Sequence, residues 1–180
     1  LTAQQQNHRN DITAARDYAI CMLFLRTGLR VSELVGLNID DINFDRNFVN
    51  VIRKENKPDN VFFSDNAAEA LKMYLDMRPM LYPDPTEKAV FLVTIGKYKG
   101  QRISVRSVQQ MVKKYGKIAI PELGNTMHPH GFRSSYASRS VRINDLGLVQ
   151  QQLNHESPAT TALYINDRAE QLEKHRNDLD

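Results

Sequence analysis

The spacing of apolar positions predicts helices at the start of the chain. Apolar residues recur at intervals of three and four over 12–23, which is typical of a helix with one buried face. Asn10 or Asp11 is predicted to cap this helix, and Gly28 to end it. A short helical turn over 31–35 follows. The chain therefore begins with a long helix and a short one.

The hydrophobic period then shortens to about two residues. Ile42 with Phe44, then Phe48–Ile52, then 61–63 are predicted to form three short strands. A Pro-Asp pair lies within 55–60, so we expect a turn there. These strands predict a small antiparallel meander.

Helical spacing returns in the second half of the chain. Ser64 or Asp65 is predicted to start one helix. Ser104 is predicted to cap another, which closes at Gly116. After Pro129 helix is expected nearly to the end. The fold class is therefore predicted as α+β, mainly helical, with a three-stranded antiparallel sheet.

Composition favours one domain without a membrane segment. The chain has 180 residues, of which 41% are hydrophobic, enough for a packed core. No apolar run is long enough to span a bilayer, and the first ten residues lack the apolar centre of a signal peptide. The single cysteine, Cys21, lies in an apolar helical stretch and is interpreted as core filling. These features favour a cytoplasmic protein.

The charge distribution points to a polyanion as partner. The net charge is only +3, but 88–144 holds eleven Lys and Arg against one acid, Glu122. The first 87 residues carry ten basic and thirteen acidic side chains. Such a positive block is typical of a surface that binds nucleic acid. On charge alone, a solvated basic face is an equal alternative.

Two fragments in the first half of the chain could handle a phosphate. Arg30 follows Gly28 at the start of a helical turn, where a guanidinium and a helix N-terminus can hold an anion together. Lys54 lies on the predicted hairpin and could donate a proton to a leaving oxygen. The alternatives are an exposed arginine beside Glu33 and a lysine that protects a sheet edge.

Two further fragments follow in the second half. His130 and Arg133 are three residues apart, so on a helix they share a face and could reach one phosphate. His128 is a rival histidine without that shared face. His155 precedes Tyr164 by nine residues. Taken alone, Tyr164 is more typical of a core residue with its hydroxyl bonded outward.

Together these side chains fit phosphodiester transfer without a metal. Paired guanidinium groups can stabilise the charge that develops on phosphate oxygens. A tyrosine nucleophile keeps the bond energy as a phosphotyrosine, so resealing needs no nucleotide cofactor. The sequence shows no carboxylate cluster or Cys/His spacing typical of a metal site. No cofactor and no metal are therefore expected.

In order and spacing, these motifs resemble the catalytic domain of the tyrosine recombinases (the phage integrase and Xer-type family). The resemblance rests on TGLRVSEL, a hairpin lysine, H-x-x-R and H-x8-Y. It implies a site-specific recombinase that acts on double-stranded DNA through a 3′-phosphotyrosine. The implied catalytic residues are Arg30 and Arg133 on the phosphate, Lys54 as general acid, His130 and His155 as proton-transfer and phosphate-binding groups, and Tyr164 as nucleophile. The basic residues expected to contact DNA are Lys57, Lys97, Lys99, Arg102, Arg106 and Lys113.

Three departures from the family pattern accompany the match. The hairpin reads RKENK where many relatives have glycines, so a shift of register to Lys57 is an alternative to Lys54. Ser134 stands where a second histidine is common. Asn154 replaces the usual glycine before His155, and asparagine tolerates a left-handed cap.

The resemblance also implies how the protein is organised. Residues 1–180 would form the catalytic domain, with a C-terminal tail over about 167–180 and without the N-terminal core-binding domain of relatives. Relatives act as homotetramers on DNA, and an isolated domain is expected to be a monomer. Two alternatives stay open, which are DNA relaxation of the type IB topoisomerase kind and a DNA-binding module without catalysis.

Overall fold

The computed structural model describes the backbone of residues 3–53, 57–122 and 126–143, and the α+β, mainly helical class is confirmed there. The helices are α1 (Ala3–Thr27), α2 (Val31–Gly36), α3 (Asp65–Met77), α4 (Val105–Ala119) and α5 (Pro129–Ile143). The strands are β1 (Ile42–Asn43), β2 (Phe48–Ile52) and β3 (Pro58–Phe62).

Helix α1 lies at the centre of the core and packs against both α3 and α5. Its apolar residues recur at helical spacing, so Ile12, Ala19 and Leu23 lie on one buried face. Ile20 and Phe24 widen that face and are fully buried. Two neighbours therefore contact α1 on a broad apolar surface, and the position of α1 sets theirs.

A fully buried segment, 89–92, lies between α3 and α4 in the sequence and forms an isolated bridge at each end. Asn38 pairs with Ala89 in an isolated bridge, and Leu92 pairs with Arg102. The Leu92 N–H also donates to the buried Tyr74 hydroxyl at 3.0 Å. These contacts satisfy backbone groups that would otherwise be buried without partners.

The three strands form an antiparallel sheet in the order β1-β2-β3. Val49 of β2 lies opposite Ile42 of β1 and Val61 of β3. The predicted second strand is confirmed, but the turn expected over 55–60 is too long, because β3 already begins at Pro58. Proline lacks an N–H donor and is tolerated at the first residue of an edge strand, which is where Pro58 lies.

The helix boundaries agree with the sequence at some ends and not at others. Helix α3 begins at Asp65 after its cap Ser64, as predicted. Helix α1 begins at Ala3, so the cap predicted at Asn10 or Asp11 is wrong. Residues 3–9 contain no glycine or proline, and the three glutamines among them have good helix propensity. Nothing in this stretch therefore interrupts the helix.

Helix α4 confirms its predicted cap but runs beyond its predicted end. The Ser104 hydroxyl accepts the Ser107 N–H at 3.1 Å. The helix continues past Gly116 to Ala119. At Gly116 an added Cβ would lie 2.7 Å from Sδ and 2.8 Å from Cβ of Met127. Gly116 therefore lets the chain before α5 pack closely on α4, and it does not end the helix.

No helix in the described part of the chain is both long and apolar enough to cross a membrane.

We predict that Gly116→Ala lowers the free energy of unfolding by about 1–3 kcal/mol, since the new methyl overlaps the Met127 side chain close to its backbone. Urea unfolding monitored by circular dichroism measures the change. Gly36→Ala is the matched control, because a Cβ at Gly36 meets nothing within 4 Å. Equal stability of the two variants would show that the contact with Met127 does not constrain α4.

Candidate active site

Arg30 lies at the turn that joins α1 to α2. Gly28 adopts a left-handed φ of 63°, and its N–H donates to Phe24 O at 3.1 Å, which ends α1. Arg30 then occupies the N-cap position of α2. Its side chain is 39% exposed. The structure thus places Arg30 beside a helix N-terminus and within reach of solvent.

The Glu33 carboxylate fixes Arg30 by two hydrogen bonds. Its Oε2 accepts the Arg30 backbone N–H at 2.7 Å, and its Oε1 accepts Arg30 Nη1 at 2.9 Å. Both oxygens also accept from Arg53 Nη1 at 2.9 Å. The side chains of Glu33 and Arg53 are 6% and 3% exposed. A buried carboxylate therefore connects two arginines.

Opposing effects act on the pKa of Glu33. Burial raises it, whereas the Arg30 backbone N–H, the charge of Arg53 and the hydrogen bonds from both arginine side chains lower it. The lowering effects prevail, so the pKa of Glu33 lies below its ordinary value. Glu33 is therefore ionised at neutral pH and can hold both arginines.

Arg53 connects Glu33 to the turn end of the β2–β3 hairpin. Its Nε donates to Asp59 Oδ2 at 3.1 Å, and its backbone N–H donates to Lys57 O at 2.8 Å. Sequence reasoning missed this residue and treated it only as part of the hairpin motif. The signal was present, because Arg53 continues the alternation of the buried Val49 and Val51.

Arg133 is brought to the same turn by the packing of α5 on α1. The Phe132 ring stacks on Phe24, with centroids 5.8 Å apart and planes at 21°. Next to it, Arg133 Nη1 donates to Gly28 O at 2.7 Å, across 105 residues of sequence. Arg133 is 6% exposed. The two arginines predicted to bind phosphate, Arg30 and Arg133, therefore meet at one helix junction.

His130 lies on α5 one turn before Arg133, and it is exposed whereas Arg133 is buried. Its ring stacks on that of His128 at 6.0 Å. The rival His128 accepts the Gly131 N–H at its Nδ1, at 3.3 Å. His128 thus caps the start of α5, and the role of His130 as the catalytic histidine stays a prediction.

Several basic residues predicted to contact DNA lie on exposed turns. Lys97 and Lys99 are exposed in the turn after the buried segment. The Lys97 Nζ lies 5.7 Å from the Tyr98 ring centroid, and the Lys99 Nζ lies 5.3 Å from that of Tyr82. Lys57, at the turn end of the hairpin, is exposed as well. These positions are accessible to a large anionic partner.

Arg102 has a different environment. Its guanidinium donates to Val35 O at 2.8 Å, Leu37 O at 3.1 Å and Asn38 Oδ1 at 2.6 Å. A cation at the carboxyl end of α2 is favoured by the helix dipole. The geometry gives Arg102 an internal structural role, and contact with DNA stays a prediction for it.

Arg106 and Lys113 lie one above the other on the exposed face of α4. With the chain before α5 they border a cleft of about 620 Å³. The residues that line it are Arg106, Gln109, Gln110, Lys113, Thr126 and His128. Sequence reasoning had no means to see that Thr126 and His128 complete this polar, basic surface.

Cys21 and the metal-binding residue types of the described part of the chain are two other potential sources of reactivity. Burial, and then the nearby charge of Asp17, raise the pKa of the Cys21 thiol to about 11. The thiol is therefore protonated at neutral pH, as expected for a residue that fills space. No cluster of three His, Cys, Asp or Glu suited to a metal occurs among the described residues.

Three predicted catalytic residues, Lys54, His155 and Tyr164, lie outside the described residues, as does the predicted tail over 167–180.

Comparison with known proteins defines the family. The model of the phage integrase family matches residues 2–171, so the chain belongs to that family. It is 39% identical over 158 residues to tyrosine recombinase XerC of Stutzerimonas stutzeri (strain A1501). The matched region covers 87% of the chain and 50% of that protein. XerC of Corynebacterium glutamicum is 36% identical over 158 residues, 87% of the chain and 48% of that protein.

Solved structures share the fold. The crystal structure of the XerA recombinase matches 98% of the chain and 64% of its own, with a TM-score of 0.74 and 27% identity. The Tn1549 transposon integrase in complex with circular intermediate DNA matches 95% of the chain and 64% of its own, with a TM-score of 0.65 and 23% identity. The chain spans about half the length of the curated relatives it matches.

We predict a pH-dependent effect of Glu33→Gln. At neutral pH the variant loses about 3 kcal/mol of stability, because Arg53 stays buried without the Glu33 anion and keeps the partly exposed Asp59 at 3.1 Å. The lowered pKa of Glu33 means that its stabilisation is complete above the ordinary value of 4.5 and is lost as the pH falls through the lower folded value. The free energy of unfolding is measured with urea from pH 7 to pH 3. The difference in this free energy between wild type and variant should therefore narrow only below about pH 4.5. A difference independent of pH would contradict the lowered pKa.

Proposed function

We propose that the chain is the catalytic domain of a site-specific DNA recombinase. It cleaves and rejoins double-stranded DNA through a 3′-phosphotyrosine at Tyr164 and uses neither metal nor nucleotide cofactor. The observation that carries the proposal is the hydrogen bond from Arg133 Nη1 to Gly28 O at 2.7 Å. It joins H-x-x-R to the turn that carries Arg30, as a shared phosphate site requires.

The two arginines act on the scissile phosphate. Attack on phosphorus increases negative charge on the non-bridging oxygens, and guanidinium groups fixed in advance stabilise that charge without reorganising. Glu33 fixes Arg30, and the carbonyl of Gly28 fixes Arg133. Both groups are thus oriented before DNA binds.

The transfer step moves one proton at each end of the bond. The Tyr164 oxygen attacks phosphorus and loses its proton to a base, for which His130 is the candidate. The bond to the 5′ oxygen breaks, and Lys54 protonates the departing oxygen. His155 donates a hydrogen bond to the phosphate. Resealing reverses these steps, with a 5′ hydroxyl as attacking group.

Solved structures of similar recombinases support this choice of substrate. XerH is described as bound to its difH substrate in pre-cleavage and post-cleavage complexes, and the Tn1549 integrase as bound to DNA. We infer that this chain likewise acts on double-stranded DNA, as a homotetramer when it is assembled on its site. We also infer a cytoplasmic protein that associates with the nucleoid when it is bound to DNA.

We predict that Tyr164→Phe abolishes covalent capture of DNA. The product of the complete gene is incubated with a library of nicked suicide duplexes, and trapped adducts are recovered under denaturing conditions. Wild type should trap a defined sequence through Tyr164, as mass spectrometry of the peptide adduct would show. Tyr18→Phe is the control, because Tyr18 is exposed on α1 and should have no effect.

Capture of no sequence by the wild type would refute the enzyme and leave a DNA-binding module. Capture followed by relaxation of supercoiled DNA, without strand exchange between two duplexes, would favour the topoisomerase alternative.

We predict that Arg30→Ala and Arg133→Ala slow cleavage about 10²–10³-fold, because each removes a donor to the charge of the transition state. Affinity for the captured duplex should fall less than tenfold, since many other cations contact the DNA backbone. Single-turnover rates at saturating protein measure cleavage, and filter binding measures affinity.

Lys113→Ala should have the opposite effect. Its DNA binding should be weaker, the slope of log affinity against log salt concentration should fall by about 1, and its cleavage rate should be retained. If the cleavage rate and the DNA affinity fell equally in the arginine variants, Arg30 and Arg133 would only anchor the DNA backbone.

A further inference from the structure

Four charged side chains form a continuous line from solvent to the sheet. Arg30 pairs with Glu33, Glu33 with Arg53, and Arg53 with Asp59, at 2.9, 2.9 and 3.1 Å. The two central groups are buried, with 6% and 3% exposure, while Arg30 and Asp59 are each 39% exposed. Of these residues, Arg53 has no role in the mechanism described above.

The charge balance of this line matters for phosphate binding. A carboxylate that orients an arginine also cancels the field that this arginine presents to an anion. Glu33 is ionised, so by itself it would neutralise Arg30. Arg53 is buried against the same two oxygens and supplies the compensating charge. Asp59, the other anion of the line, is 39% exposed, so water screens its charge more than that of the buried Glu33. Glu33 can then orient Arg30 while Arg30 keeps its attraction for phosphate.

The geometry gives Arg53 a second effect, on orientation. Its Nη1 contacts both Glu33 oxygens, while its Nε contacts Asp59 and its N–H contacts Lys57 O on the far side of the hairpin. The planar guanidinium therefore fixes the rotation of the Glu33 carboxylate relative to the sheet. A lysine could supply the charge but not both directions.

We propose that Arg53 is a positioning residue for the phosphate site, which orients and neutralises Glu33 so that Arg30 presents its full charge to the scissile phosphate. The proposal rests on the proposed function, because it concerns the same phosphate. Arg53 itself does not touch DNA in this scheme. Its effect must therefore depend on the charge of the phosphate and not on the stability of the protein.

The test compares two suicide duplexes of the captured sequence in the complete gene product. One carries the natural phosphodiester, and the other a methylphosphonate at the scissile position, which lacks one negative charge and so needs the arginine less. The variants are Arg53→Met and Arg53→Lys. Arg78→Met is the matched control, because Arg78 is also buried and donates only to the carbonyl oxygens of Ala89 and Glu87 in the contacts resolved.

Arg53→Met should form the adduct about 10–100-fold more slowly than wild type on the phosphodiester, by analogy with the loss of partners that orient metal-binding side chains. On the methylphosphonate this defect should shrink by about tenfold. The uncharged phosphate loses one charge interaction with Arg30, and a difference of about 1.4 kcal/mol in the barrier changes the rate tenfold. Arg53→Lys should lie between wild type and Arg53→Met. Arg78→Met should react alike with both substrates once the folded fraction is taken into account.

A defect of equal size on both substrates, or the same pattern in Arg78→Met, would overturn the proposal. If Arg53→Met does not fold, Arg53→Lys decides, since lysine keeps the positive charge but not the paired contacts to Glu33 and Asp59 that fix the carboxylate. It must show a smaller defect with the same dependence on substrate, or the proposal fails. Absence of any adduct with wild type would instead overturn the proposed function, and this inference with it.

Discussion

The buried carboxylate of Glu33 joins the helical part of the molecule to its sheet. Transfer of an ionised group from water into a protein interior costs several kcal/mol unless it is paired and hydrogen-bonded. Glu33 meets this condition with four contacts from two arginines, one on the turn before α2 and one at the end of β2. If either arginine moves, the buried Glu33 carboxylate loses hydrogen bonds that compensate for its burial. The position of Arg30 relative to the hairpin follows from this requirement.

A second constraint joins α5 to the same place. Gly28 turns the chain in a left-handed conformation, so its carbonyl oxygen is available to a distant donor, and Arg133 supplies that donor. The neighbouring stack of Phe132 on Phe24 excludes water and orients α5. Apolar packing thus brings the helix to the junction, and one charged hydrogen bond sets its register there. Both constraints meet within three residues of chain, at 28–30.

The family and the class of fold could be predicted from the sequence because both depend on local patterns. Helical spacing in α1 and alternation in β2 report which face is buried, whatever lies against it. The caps at Ser64 and Ser104 are likewise local, since they involve their own helix. The predictions that were wrong, at Asn10, Pro58 and Gly116, concern where an element begins or ends, and there weak propensities compete.

The candidate site divides in the same way. The sequence by itself determined the residue types, their order and their resemblance to one family, and these singled out Arg30, His130 and Arg133 without coordinates. Only the tertiary structure decided that Arg133 donates to Gly28 and that Arg53 shares the carboxylate of Glu33. It also decided that Met127 packs against Gly116, where no side chain would fit. Each of these contacts joins residues that no periodicity relates. The physical reason is that burial fixes which charges must be paired, and burial exists only once the chain has folded.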